Sequence, residues 1–177
     1  MAGTPKRYLA RCRCGAVELA AFGEPILAAV CYCADCQAAA RRIAARADAP
    51  AVADPDGGTE YLLFRKDRFA CVQGAERLQA LRLKETSATR RMIASCCGSA
   101  MVLAFDDARH WVSAYRARFV GDVPPLEMRI CTKSRTSDAP LDSHAPNYPR
   151  YAPRLIVRLL ASRLAMALAP RTKTNPI

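Results

Sequence analysis

A chain of 177 residues with 51% hydrophobic and 24% charged residues is sized for one domain with a modest core. Its composition excludes the collagen-like, low-complexity and disordered classes. The net charge is +11, from 27 Lys+Arg against 16 Asp+Glu, a balance that favours anionic small molecules, nucleic acid or anionic lipid as partners.

The opening stretch, Met1-Ala2-Gly3-Thr4-Pro5-Lys6-Arg7, leads into no apolar signal core. Lys6–Cys12 reads as a strand, Cys12-Arg13-Cys14-Gly15 as a tight knuckle, and Ala16–Phe22 as the returning arm of a hairpin. Ile26–Val30 is a short strand that runs into Cys31-Tyr32-Cys33-Ala34-Asp35-Cys36-Gln37. Helix propensity then covers Asp35–Ala47 and ends at Asp48 and Pro50. After the loop Asp54–Thr59 come strand-like runs at Glu60–Phe64, Arg68–Gln73, Arg77–Lys84 and Arg90–Ala94, the third of which also fits a short helix. Ser95-Cys96-Cys97-Gly98-Ser99 is a second knuckle, followed by strands at Met101–Phe105, Trp111–Tyr115 and Leu126–Cys131. Asp138–Pro153 holds four prolines and reads as irregular, Leu155–Ala169 as an apolar helix, and Pro170–Ile177 as a basic disordered tail. The organisation expected is a domain over 7–131 and a basic extension over 132–177, where eight basic residues face two acidic ones. The helix 155–169 would pack on the domain or a partner, or lie on a membrane surface. No apolar run reaches the roughly 18–20 residues that cross a bilayer, so a cytoplasmic location is expected.

Thiols stay reduced there, and nine cysteines then point to metal or reactivity rather than to disulfides. Cys31, Cys33 and Cys36 have the spacing C-x-C-x2-C, which lets a turn entering a helix bring three sulfurs onto one ion. The helix start favours thiolate at Cys33 and Cys36. A zinc ion with three protein ligands keeps a fourth position for water or substrate, the pattern of a reactive site. Cys12 and Cys14 with Cys96 and Cys97 form a second candidate set, in which two knuckles from distant strands would share a closed structural zinc. Cys96 and Cys97 could instead form a vicinal disulfide, or only one of them could be a ligand. Cys71 reads as core. Cys131, alone near the basic extension, receives no role, and His110 and His144 are the only histidines.

Cys12-x-Cys14-Gly15, Cys31-Tyr32-Cys33-x2-Cys36-Gln37 and Cys97-Gly98-Ser99 together resemble the glutathione-dependent formaldehyde-activating enzyme family, which also includes centromere protein V. The resemblance spans about residues 7–130. In one place the chain departs from that pattern: the first cysteine of the last knuckle falls on Ala94, and Cys96 stands nearby instead. The resemblance implies a mainly β fold, the Mss4-like β-tent of antiparallel sheets clamped by zinc. It implies one structural zinc bound by four cysteines and a second, labile zinc on the triplet, linked to glutathione chemistry.

The function expected is that of a zinc-dependent carbon–sulfur lyase acting on adducts of an aldehyde with a glutathione-like thiol, with Cys31, Cys33 and Cys36 as its catalytic residues. Arg41 and Arg42 are candidates to hold the thiol's carboxylates. The competing expectation is a non-catalytic, zinc-stabilised binding module for a protein partner or for a polyanion held by the basic tail.

Overall fold

The structure, a computed structural model, describes residues 5–168. Eleven strands and two α-helices follow one another: β1 (Arg7–Arg11), β2 (Glu18–Phe22), β3 (Leu27–Cys31), α1 (Ala34–Ala44), β4 (Thr59–Arg65), β5 (Phe69–Gln73), β6 (Leu78–Leu81), β7 (Thr89–Ala94), β8 (Ala100–Phe105), β9 (Trp111–Tyr115), β10 (Phe119–Val120), β11 (Met128–Ile130) and α2 (Pro153–Leu168). They build a four-stranded sheet, β10-β1-β2-β5, and a seven-stranded sheet, β11-β3-β4-β9-β8-β7-β6. The protein is therefore mainly β, with two sheets and a C-terminal helix. The expected strand runs fall on observed strands, and Arg77–Lys84 contains the strand β6 rather than a helix. The two-residue β10 carries no signal of its own in the sequence and forms only because Val120 and Phe119 pair with Leu9 and Ala10 of β1.

Side chains that alternate across a strand give the larger sheet two buried faces. On β4, Leu62 and Phe64 belong to one core with Tyr8, Leu19 and Phe69 of the smaller sheet, so this core lies between the sheets. Tyr8 and Phe64 meet there with ring centroids 5.7 Å apart. Tyr61 and Leu63, one residue out of phase, join Leu27, Ala29, Ile43, Ile130 and Leu155 in a second core on the opposite face, beneath α1 and α2. Each fully buried Leu or Phe contributes about 1.5–3 kcal/mol of transfer free energy, so a slip of one residue in β4 would misplace four such side chains.

The sheets depart from all-antiparallel pairing at β11, which runs parallel to β3 with Ile130 opposite Cys31. Parallel neighbours require a crossover, and the whole chain between Cys31 and Met128 supplies it. The segment after β11 packs back on the domain. Buried Arg129 donates to the carbonyl of Ala145 at 2.9 Å and pairs with Asp142 at 2.6 Å. Arg158 of α2 donates to the carbonyl of Ile26 at 3.1 Å. Helix α2 buries only Leu155 fully, while Val157, Leu160, Leu164 and Leu168 are exposed. No helix among the described residues is long and apolar enough to cross a membrane. The expected disordered tail Pro170–Ile177 and the last helical position, Ala169, lie outside the described residues.

Candidate metal centres

Both predicted cysteine sets are assembled by the fold, each with its sulfurs within 4.8 Å of one another. All nine cysteines are free thiols, so Cys96 and Cys97 form no vicinal disulfide.

The first set joins the two sheets. After β1 the chain turns so that the amide of Gly15 donates to the carbonyl of Cys12 at 3.0 Å and that of Val17 to the Cys12 sulfur at 3.2 Å. Cys12 and Cys14 therefore project together. Across from them, the turn between β7 and β8 presents Cys96 and Cys97. The Sγ–Sγ separations are 3.5 Å for Cys12–Cys14, 3.3 Å for Cys14–Cys96, 3.9 Å for Cys12–Cys96 and 4.0 Å for Cys96–Cys97. Ser99 ties the knuckles together, with the Arg13 amide donating to its hydroxyl at 3.0 Å and Cys97 Sγ lying 3.1 Å from the same oxygen. Burial raises the Cys97 thiol, but the Ser99 hydroxyl and neighbouring amides outweigh it and bring the group down to about 6.

The second set sits where β3 hands over to α1. Cys31 ends the strand. Cys33 is the N-cap of α1, in extended conformation, and its sulfur accepts from the Cys36 amide at 3.4 Å. Cys36 lies in the first turn, where free N–H groups and the helix dipole favour negative charge. Gln37 fixes the entry by donating to the carbonyl of Tyr32 at 2.7 Å and to that of Ser134. Hydrogen bonds from the Cys31 and Cys36 thiols, helped by the Cys36 and Asp35 amides, hold Cys33 down at about 2 despite burial. Cys31 moves upward, through hydrogen bonding with Cys131, Cys33 and Cys36 and through burial. For Cys36 the hydrogen bond with Cys31 lowers the thiol, but Cys33 and burial prevail and push it up to about 12. The set thus favours negative charge on Cys33, while burial and hydrogen bonding push Cys31 and Cys36 toward the thiol form.

A cavity of about 380 Å³ opens from these sulfurs along the outer face of the seven-stranded sheet. Leu27, Leu63, Leu103, Phe105, Trp111 and Leu159 make its walls apolar, and Tyr151, 61% exposed, stands at its mouth. Arg91 enters the same cavity and is only 2% exposed. Its Nη2 donates to the carbonyl of Asp35 at 3.1 Å, and its Nε has no partner. Arg109 also lines the cavity, whereas Arg41 and Arg42 do not; Arg42 donates instead to the carbonyl of Arg82 at 3.1 Å. Sequence reasoning chose the two arginines near the triplet in the chain, and the fold supplies two that lie far from it. Neither histidine joins a cysteine set. His110 is 2.6 Å from the Ser162 hydroxyl of α2. Cys71 is half-buried and hydrogen-bonds to the carbonyls of Glu18 and Gln73.

Fold and site together define a mainly β protein carrying two cysteine clusters that can each hold a metal ion. The chain belongs to the family of unknown function DUF6151, which matches residues 6–169. No curated protein matches the chain. Among solved structures, a crystal structure of a Rhodobacter sphaeroides protein, Northeast Structural Genomics target RhR83, is 21% identical, with a TM-score of 0.44, over 66% of this chain and 91% of that one.

Proposed function

We propose that this protein is a zinc-dependent enzyme of the carbon–sulfur lyase type, which adds a thiol to an aldehyde or reverses that addition. The observation that carries the reading is the position of Cys31, Cys33 and Cys36, three converging sulfurs at the end of a cavity large enough for a small organic molecule. In this reading the protein is similar to the glutathione-dependent formaldehyde-activating enzymes, its two sheets correspond to the Mss4-like β-tent, and Cys12, Cys14, Cys96 and Cys97 hold a structural zinc.

The residues fit zinc on geometry and chemistry. A tetrahedron with Zn–S bonds of about 2.3 Å has edges of about 3.8 Å. Four of the six separations in the first cluster, 3.3 to 4.0 Å, bracket that edge, and all six lie within 4.8 Å. Thiolate donors suit zinc. When bound at the triplet, zinc stabilises thiolate at neutral pH.

The chain's own groups account for the rest. Cys33 supplies a thiolate, and Cys31 and Cys36 lose protons on loading. Tyr61 donates to Cys36 at 3.7 Å, and burial keeps that hydroxyl protonated. Arg91 places a buried positive charge in the cavity that the sulfurs line, held to the carbonyl of Asp35, where it can hold an anionic group of the thiol. The cavity walls exclude water and favour an aldehyde with an apolar body. In the reaction the substrate thiol gives up its proton, its sulfur bonds to the carbonyl carbon, and the carbonyl oxygen takes up a proton to give an S-hydroxyalkyl thioether.

Four arginines of the basic extension, among the described residues, are engaged with the rest of the domain, which favours the catalytic reading over polyanion binding. Arg135 pairs with Asp56 at 2.6 Å, and Arg158 and Arg154 with Glu127 at 2.6 and 3.6 Å. Arg163 donates to the carbonyl of Ala108 at 3.0 Å. Arg154, Arg158 and Arg163 thereby hold α2 to the domain, and Arg135 holds the segment before it; Arg171 and Lys173 lie outside the described residues.

The test is exchange NMR on glutathione with formaldehyde and with longer aldehydes. Wild-type protein at catalytic concentration should accelerate formation and breakdown of the S-hydroxyalkyl adduct. Cys33→Ser should abolish the acceleration while retaining one zinc per chain. Full activity in Cys33→Ser would overturn the assignment.

A further inference from the structure

Cys131 is separated from the triplet by about a hundred residues of chain, yet it stands beside it. The parallel pairing of β11 with β3 sets Ile130 opposite Cys31, so both strands run out at the same edge, and Cys131 is the next residue. There the backbone turns left-handed, with φ 59°, a conformation that costs a non-glycine residue about 1 kcal/mol or more. That turn is held by the Cys131 amide donating to the carbonyl of Arg150 at 3.2 Å and the Thr132 amide to that of Tyr148 at 3.0 Å. Cys131 is buried in the same core as Cys31 and Cys36, at 8% exposure. Its sulfur is hydrogen-bonded by the Cys31 thiol. Three sulfurs already converge within 4.8 Å of one another, and Cys131, just past the end of β11, contacts one of them, Cys31, without lying within that distance of all three.

We infer that Cys131 is the fourth protein donor of the triplet centre, so that the metal there is held at rest by Cys31, Cys33, Cys36 and Cys131. This rests on the reading that the triplet binds metal. Four thiolates complete the tetrahedron that zinc prefers in closed sites, and the Cys131 sulfur would have to draw in toward Cys33 and Cys36 to complete it. Cys131 differs from the other three in coming from a loop end rather than from the rigid strand-to-helix junction. With a metal bound, Cys131 would be the donor of the four that is least rigidly held, and so the one a substrate thiol would replace.

Cadmium-113 NMR on the full chain tests this site by site, because each bound cadmium gives its own signal and the chemical shift reports the number of sulfur donors. The inference predicts two signals in wild-type protein, both in the four-sulfur range. In Cys131→Gly and Cys131→Asn, which both accommodate a left-handed backbone, one signal should move to the three-sulfur range. The other should stay, and zinc at the altered site should bind about tenfold more weakly or worse in chelator competition. A wild-type spectrum with one four-sulfur and one three-sulfur signal, unchanged in both variants, would overturn the inference and leave the triplet reading standing. A single cadmium, unaffected by Cys31→Ser, would remove the triplet centre and both proposals with it.

Discussion

The hydroxyl of Tyr61, in the middle of β4, donates to the sulfur of Cys36, in the first turn of α1, across 3.7 Å. Both residues are buried. The contact couples an interior strand of the larger sheet to the helix that carries Cys36 and is capped by Cys33. Groups of this kind orient metal ligands and tune their basicity, and their loss typically weakens metal binding 10- to 100-fold. Tyr61→Phe keeps the ring that packs 5.1 Å from Tyr115. It should weaken metal binding at the triplet by about tenfold and leave the clamp cluster, formed where Cys12 and Cys14 meet Cys96 and Cys97 between the sheets, unchanged, as read by two-phase chelator competition.

Arg91 should set the pH at which the triplet loads. A buried guanidinium in the same cavity, bonded to the carbonyl of Asp35 next to Cys36, should favour thiolate over thiol there. Arg91→Met removes that charge, so metal uptake at the triplet should shift to higher pH, while Arg91→Lys should restore part of the shift. Metal binding followed as a function of pH for the three proteins checks the order.

In the metal-free protein Cys33 should be the most reactive thiol under mildly acidic conditions. Its group is lowered from 9.0 to about 2, so it is already thiolate and its alkylation rate should stay flat between about pH 5 and 8. Cys71 is moved upward, chiefly by burial, so its rate should climb about tenfold per pH unit over the same range. Peptide mapping after a brief iodoacetamide pulse separates the two.

The clamp cluster should carry much of the stability. It ties the β1–β2 hairpin to the β7–β8 turn, and metal bound only by the folded form contributes directly to folding free energy. Cys14→Ser, or stripping by a strong chelator, should lower Tm by roughly 10 °C, equivalent to about 3 kcal/mol at the 2–4 °C per kcal/mol usual for this chain length. Differential scanning calorimetry with and without added zinc checks this.

Gly15 and Gly98 each follow a cysteine knuckle, and both have positive φ, +79° and +68°. A Cβ on Gly15 would meet nothing within 4 Å, whereas one on Gly98 would lie 2.9 Å from the Cα of Ala49. Gly15→Ala should therefore cost only the left-handed penalty of about 1–2 kcal/mol. Gly98→Ala should cost at least about 1 kcal/mol more, since backbone must shift to admit the methyl group. Urea unfolding of the two variants gives the comparison.

The sequence by itself determined the strands other than β10, with β6 left open between strand and helix, the helix after the triplet and the two cysteine sets. Each of these is written in local pattern: alternation of apolar residues, the helix propensity after Asp35, and cysteines one to three residues apart. Tertiary structure decided what depends on contacts between distant segments. The parallel pairing of β11 with β3 places Cys131 beside Cys31. The packing of α2 over the sheet closes the cavity, and Arg91, rather than Arg41 or Arg42, becomes a cation in the cavity that the sulfurs line. An isolated cysteine or arginine has no periodicity to read, and its chemistry is set by which strand edge the fold brings next to it.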